Sequence, residues 1–184
     1  MTLIDTLVQR NAAFTSREFS AALKIIPSLK MMIIGCVDPR VDPADILGLT
    51  LGEAAVIRNV GGRITPDVLD TMAMLRTVAK AGGGELGAGW NLIVLHHTDC
   101  GITRLNNSPE QLAKYFGVSA AGLEALAIND PYASVAVDVA ALKANSMLPG
   151  GFMVSGLVYD VGTGKLEIVV PPALLRSETV AGAS

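Results

Sequence analysis

The sequence predicts an α/β fold: a mainly parallel β-sheet core flanked by helices, with an added edge strand or hairpin near the C-terminus. Three observations predict it. Short apolar runs alternate with helical segments, the order that builds parallel sheets. The run Met31-Met32-Ile33-Ile34 has no polar alternation, as expected of a strand covered on both faces. Gly162-Thr163-Gly164 divides the apolar stretch from Phe152 to Val170 into two strands joined by a hairpin turn.

The elements follow in order. Residues 2–25 read as helical, broken near Thr15-Ser16 and closed off by Pro27. Lys30 to Gly35 is the first strand. Asp42-Pro43 starts a helix, with the aspartate as N-cap and proline at the first helical position. Ala54 to Arg58 is the second strand, followed by the turn Asn59-Val60-Gly61-Gly62. Thr65-Pro66-Asp67 opens a helix to about Ala81, on which Met72, Leu75, Val78 and Ala79 follow helical spacing. Gly82 to Gly89 is a loop without the lysine ending of a phosphate-binding loop. Asn91 to Leu95 is the third strand. Ser108-Pro109-Glu110 caps a further helix, and Pro131 opens a long one to about Ser146. The tail from Pro171 to Ser184 carries no readable signal.

Composition narrows the function. The chain has 184 residues, of which 51% are hydrophobic and 17% charged, enough for one domain over 1–184 with a substantial core and an oligomer interface to cover. A net charge of −3 without clustered Lys and Arg argues against nucleic acid as a partner. No run reaches the roughly 18 apolar residues of a membrane span. The N-terminus lacks a basic region followed by an apolar one. Two cysteines without such a signal read as reduced thiols in the cytoplasm.

Two short motifs carry the chemistry: Cys36-Val37-Asp38-Pro39-Arg40 and His97-Thr98-Asp99-Cys100. Both fall where predicted strands end, at the edge where parallel sheets place their sites. Two thiolates and one imidazole fill three positions of a zinc tetrahedron and leave the fourth open, the mark of a catalytic site. Taken singly, each cysteine could be core filler, and a disulfide between them is the other alternative. Three candidate ligands on neighbouring strand ends favour one Zn2+ per chain. His96 competes with His97, but successive strand side chains face opposite ways, and the spacing to Cys100 favours His97. Asp38 and Arg40 point the same way on an extended chain and are spaced for a carboxylate–guanidinium pair. The glycines of Asn59-Val60-Gly61-Gly62 allow backbone to approach a site closely, so these four residues are candidates for a substrate pocket as well as for a tight turn.

These motifs resemble the β-class carbonic anhydrases. That family's C-x-[DS]-x-R pattern appears as Cys36 to Arg40, and its H-x-x-C-G pattern as His97 to Gly101. Val56-Ile57-Arg58-Asn59-Val60-Gly61-Gly62 is similar to the segment between them. The resemblance implies a four-stranded parallel core with an added strand. It implies a homodimer or tetramer, in which residues 2–25 would embrace the partner. It makes Cys36, His97 and Cys100 the zinc ligands and Asp38 with Arg40 the catalytic dyad. The implied reaction is hydration of CO2 to bicarbonate and a proton. In some members the dyad aspartate itself binds zinc at lower pH, an option this sequence keeps open. The alternatives are a zinc hydrolase acting on carbon disulfide or carbonyl sulfide, and a non-catalytic zinc protein of the same fold.

Overall fold

The computed structural model describes residues 1–176. Thr2 caps the first helix, α1 (Leu3–Arg17), in a reciprocal box with Asp5. The helix passes straight through Thr15 and Ser16, where the sequence suggested a break. Their hydroxyls donate to the carbonyls of Asn11 and Ala13, so the helix satisfies them internally. It ends at Arg17, and residues 18–25 are turn and irregular chain rather than helix. No residue of α1 is buried.

Four strands run parallel: β1 (Met31–Cys36), β2 (Ala54–Asn59), β3 (Asn91–His97) and β4 (Met153–Asp160). β5 (Lys165–Leu174) pairs antiparallel with β4 at one edge, giving the order β2-β1-β3-β4-β5. The short helix α2 (Pro43–Leu47) follows β1, and α3 (Pro66–Ala81) joins β2 to β3. Helices α4 (Pro109–Phe116) and α5 (Pro131–Ala144) lie between β3 and β4. The chain leaves β1 for β2 on one side and returns to β3 on the other. The strand order therefore reverses beside β1, and the crevice outside the strand ends opens there.

The core explains the apolar runs. Ile33, Ile34, Leu92, Val94 and Val154 have no exposed surface, each contributing roughly 1.5–3 kcal/mol by burial. Helix α5 packs on β3, β4 and β5. On α3, Met72 and Ala79 are buried and Leu75 packs against the same cluster, but Val78 is 44% exposed and falls outside the stripe that its spacing suggested. A second cluster gathers Cys36, Val41, Cys100, Ile102, Leu112 and Phe116 under the strand ends.

The C-terminal reading needs one correction. β5 continues past Val170 through Pro171 and Pro172 to Leu174, and Leu175 is buried. An edge strand tolerates proline because only one side must donate to a ladder. The rest of the tail, residues 177–184, lies outside the described residues.

Candidate metal centre

Adjacent parallel strands deliver the cluster. Gly35 pairs with Leu95 across β1 and β3, so Cys36 and His97 leave the sheet side by side. The chain then turns at Asp99, in the left-handed region at φ 51°, which aspartate tolerates better than most residues. That turn swings Cys100 back toward His97. The two Sγ atoms stand 3.7 Å apart, both cysteines are free and buried, and no disulfide joins them. One atom each from Cys36, His97 and Cys100 lies within 4.8 Å of the others; Asp38 is not part of this group.

The donor set fits zinc. Two sulfurs about 2.3 Å from a tetrahedral zinc would stand about 3.8 Å apart, close to the observed separation. His97 Nδ1 lies 2.9 Å from the Thr98 carbonyl, which can only accept, so the proton is on Nδ1. In the neutral ring the lone pair is then on Nε2, which is buried with no hydrogen-bond partner among the described residues. A buried imidazole nitrogen with a free lone pair facing two sulfurs is a ligand in waiting.

The sulfur of Cys36 is prepared for negative charge. The amides of Asp38 and Gly61 approach it at 3.4 and 3.3 Å. The hydrogen bond with Cys100, those amides and His97 pull its pKa far below the ordinary thiol value. Cys100, as the partner holding the shared proton and as a buried group, is pushed up. The Cys36 thiol is thus the more acidic of the two, and a divalent cation would displace the protons that the pair holds.

Asp38 and Arg40 form the pair that their spacing suggested. Arg40 Nη2 donates to Asp38 Oδ2 at 2.7 Å, and Nε reaches both carboxylate oxygens at 3.1 and 3.3 Å. Hydrogen bonding to Arg40 holds the Asp38 pKa down at about 2. Sequence reasoning missed two further partners. Arg40 also donates to the Asp99 carboxylate at 2.8 Å and to its carbonyl at 3.0 Å, tying the two motifs together. Arg58, at the end of β2, donates to the carbonyls of Cys36 and Asp38, both at 2.8 Å, and pairs with Asp42. It clamps the backbone on either side of Val37.

The four pocket candidates separate. Asn59 uses its side chain to latch the turn, accepting from the Arg63 amide and donating to the Arg63 carbonyl, each at 2.8 Å. The Val60 carbonyl accepts from Tyr115 at 2.8 Å, while its side chain is 43% exposed. Gly62 lies against the backbone of Gly35 and Cys36. Of the four, Gly61 alone lines the cavity of about 230 Å³ beside the metal cluster, with Arg63, His96, His97, Cys100 and Ile128 among its walls. A cavity of about 310 Å³ between α3 and the Met147–Phe152 segment is apolar and touches none of the cluster residues.

Behind His97 sits a polar group that sequence reasoning did not find. His96 turns away from the metal cluster, as alternation requires, and is buried between Ser134 Oγ at 2.9 Å and Asp138 Oδ2 at 3.1 Å. Arg63 Nε donates to the same Asp138 oxygen at 2.7 Å, and all four side chains are buried. Burial pushes the Asp138 pKa up, but the bonds from His96 and Arg63 outweigh it and leave the pKa below the ordinary value. One signal was available: Ser134 and Asp138 share a helix face beside Val135, Val139 and Leu142, so that the core face of α5 carries polar groups that need partners.

A parallel α/β sheet brings two cysteines and a histidine together at its topological switch point, with a carboxylate–guanidinium pair beside them, and this cluster could hold one metal ion. The family model described as carbonic anhydrase matches residues 31–166. The β-carbonic anhydrase 1 of Mycobacterium tuberculosis is 31% identical, over 93% of this chain and all of that one. A crystal structure of carbonic anhydrase from Streptococcus mutans superposes with a TM-score of 0.70 at 34% identity, covering 92% of this chain and 98% of that one. A carbon disulfide hydrolase of Saccharolobus solfataricus is 27% identical, over 89% of this chain and 87% of its own length. The chain belongs to the β-carbonic anhydrase family, and it is an enzyme of the carbonic anhydrase type.

Proposed function

We propose that the protein hydrates CO2 reversibly to bicarbonate and a proton, with one zinc held by Cys36, His97 and Cys100. The observation that carries this reading is the buried Nε2 of His97, without a hydrogen-bond partner among the described residues, close to two sulfurs beside the Asp38–Arg40 pair. Bound there, zinc would lower the pKa of water enough to supply a hydroxide nucleophile near neutral pH. Asp38 then acts as an orienting acceptor. With a pKa of about 2 it holds no proton at neutral pH, so it aligns the attacking group by accepting its hydrogen bond. Arg40 keeps that carboxylate off the metal by a bidentate grip. Among the described residues the second histidine, His96, is buried in its own network, so the released proton leaves to solution buffer.

The same reading makes 1–184 one functional unit, places it in the cytoplasm and gives it a second copy as partner. No helix among the described residues is long and apolar enough to cross a membrane. On α1, Leu3, Ile4, Leu7 and Val8 are exposed, an apolar stripe that a partner subunit would cover. The test is stopped-flow CO2 hydration at mildly alkaline pH, on protein with measured zinc content. Turnover lost in Asp38→Ala supports the reading. The likeness to a carbon disulfide hydrolase supplies a second reading, hydrolysis of a sulfur analogue of CO2. Zinc-loaded protein that leaves CO2 unchanged and releases sulfide from carbon disulfide would decide for it.

A further inference from the structure

The peptide unit between Val60 and Gly61 is bonded at both ends. Its carbonyl accepts from the Tyr115 hydroxyl at 2.8 Å. Its amide, on Gly61, donates to the Cys36 sulfur at 3.3 Å. The unit is trans, so its carbonyl and its N–H point in opposite directions. One rigid dipole thus stands between a phenol near the end of α4 and the sulfur that closes β1. A donor on the carbonyl polarises the unit and makes the N–H at its other end a stronger donor, by roughly 10–30% per link of such a chain. The Asp38 amide also approaches the sulfur, at 3.4 Å, but from the sulfur's own loop. The Gly61 amide comes from another strand end and is open to influence from α4.

The phenol is held to this task. Tyr115 meets Phe116 edge-on, with ring centres 5.2 Å apart and planes at 70°. It packs against the cluster that contains Cys36 and Cys100. Burial pushes its pKa up to about 12, so the hydroxyl keeps its proton near neutral pH and donates. The turn it meets is anchored independently. Asn59 brackets the Arg63 backbone with two bonds of 2.8 Å, and Asp138 accepts from the Ile64 amide at 3.2 Å. The hydroxyl is therefore not what keeps the turn in place, and its effect on the sulfur is electronic.

We propose that Tyr115 is a positioning residue for the metal centre, acting through the Val60–Gly61 peptide to set how strongly the Cys36 sulfur donates to a bound metal. A hydrogen bond draws electron density from a thiolate, so the Tyr115 hydroxyl moderates that donation and leaves the metal the stronger Lewis acid. The tuning rests on the reading that Cys36 is a metal ligand; the chain of hydrogen bonds does not.

The test uses full-length protein loaded with cobalt(II), because zinc has a filled d shell and gives no such spectrum. Tyr115→Phe removes one oxygen and keeps the ring. The sulfur-to-cobalt charge-transfer band should move to longer wavelength, since the sulfur electrons are held less tightly. In the zinc-loaded protein the Gly61 amide proton should move upfield by NMR, as its own hydrogen bond weakens. Phe116→Leu loosens the same packing but keeps the hydroxyl, and should leave the band in place. A band that stays put in Tyr115→Phe overturns the tuning and leaves the metal reading intact. So does a band that Phe116→Leu moves as far, because packing then carries the effect. A parent protein that takes up cobalt(II) without a thiolate band removes Cys36 as a ligand, and overturns the metal reading and the tuning together.

Discussion

Gly62 lies so close to Cys36 that a Cβ on it would stand 2.9 Å from the Cys36 amide nitrogen. The same atom would meet the Gly35 carbonyl carbon at 2.9 Å and the Leu95 carbonyl oxygen at 3.0 Å, all backbone, and the φ of Gly62 is +66°. None of these three backbone atoms can rotate away. Gly62→Ala should therefore push the turn off the end of β1 and move Gly61, whose amide supports the Cys36 sulfur. The expected loss is about 1–3 kcal/mol of stability. Urea unfolding checks this, and zinc retained after dialysis should fall in parallel. Unchanged stability would show that the turn and β1 can separate.

The Asp138 carboxylate is the acceptor that makes a buried Arg63 tolerable. Asp138→Asn leaves that guanidinium without its counter-charge and should cost about 3–5 kcal/mol at neutral pH. The pH dependence has a definite sign. The folded pKa of Asp138 lies below its ordinary value of 3.8. Its contribution is thus complete above that value and is lost as the pH falls through the lower folded one. Urea midpoints measured from neutral pH into the acid range should decline less steeply in Asp138→Asn than in the parent. Parallel acid limbs would remove Asp138 from the account.

The clustering of Cys36, His97 and Cys100 was legible in the sequence because Cys36 and His97 close β1 and β3 and Cys100 lies three residues further on, and strand ends are what a continuous apolar run marks most clearly. His97 over His96 followed from the two-residue period of a strand, and the structure turns the two rings to opposite sides. What stayed hidden depends on contacts between distant segments. Arg63 and Asp138 are 75 positions apart, and Arg40 and Asp99 are 59 apart. No local period reports such partners. The break expected at Thr15-Ser16 failed for a different reason: hydroxyls that disfavour helix when unbonded were satisfied by the helix's own carbonyls.

Arg40 is the restraint on Asp38. It is itself braced by Asp99 through the 2.8 Å bond and by the Asp99 carbonyl. Arg40→Ala should free the carboxylate to turn toward the metal. Zinc content should stay at one per chain while CO2 hydration falls about tenfold to a hundredfold, the worth of a charged hydrogen bond. X-ray absorption should then report a carboxylate oxygen in the zinc shell. Arg40→Lys should not restore activity, because an ammonium offers a point charge where a fork is needed. Full activity in either variant would show that Asp38 is held by something else.

The helix α1 has no buried residue, yet Leu3, Ile4, Leu7 and Val8 lie along one side of it with between 46% and 74% of their surface exposed. Such a stripe is costly to leave in water and serves no purpose in the isolated fold. If it covers a second copy, removing residues 1–17 should leave the sheet folded and the assembly broken. Sedimentation equilibrium should give a dimer or tetramer for the full chain and a monomer for the truncated one. Replacing Leu7 and Val8 with glutamate should act in the same direction while keeping the helix, since the Thr2–Asp5 capping box is untouched. Equal masses for all three proteins would mean that α1 is not the element that joins the subunits.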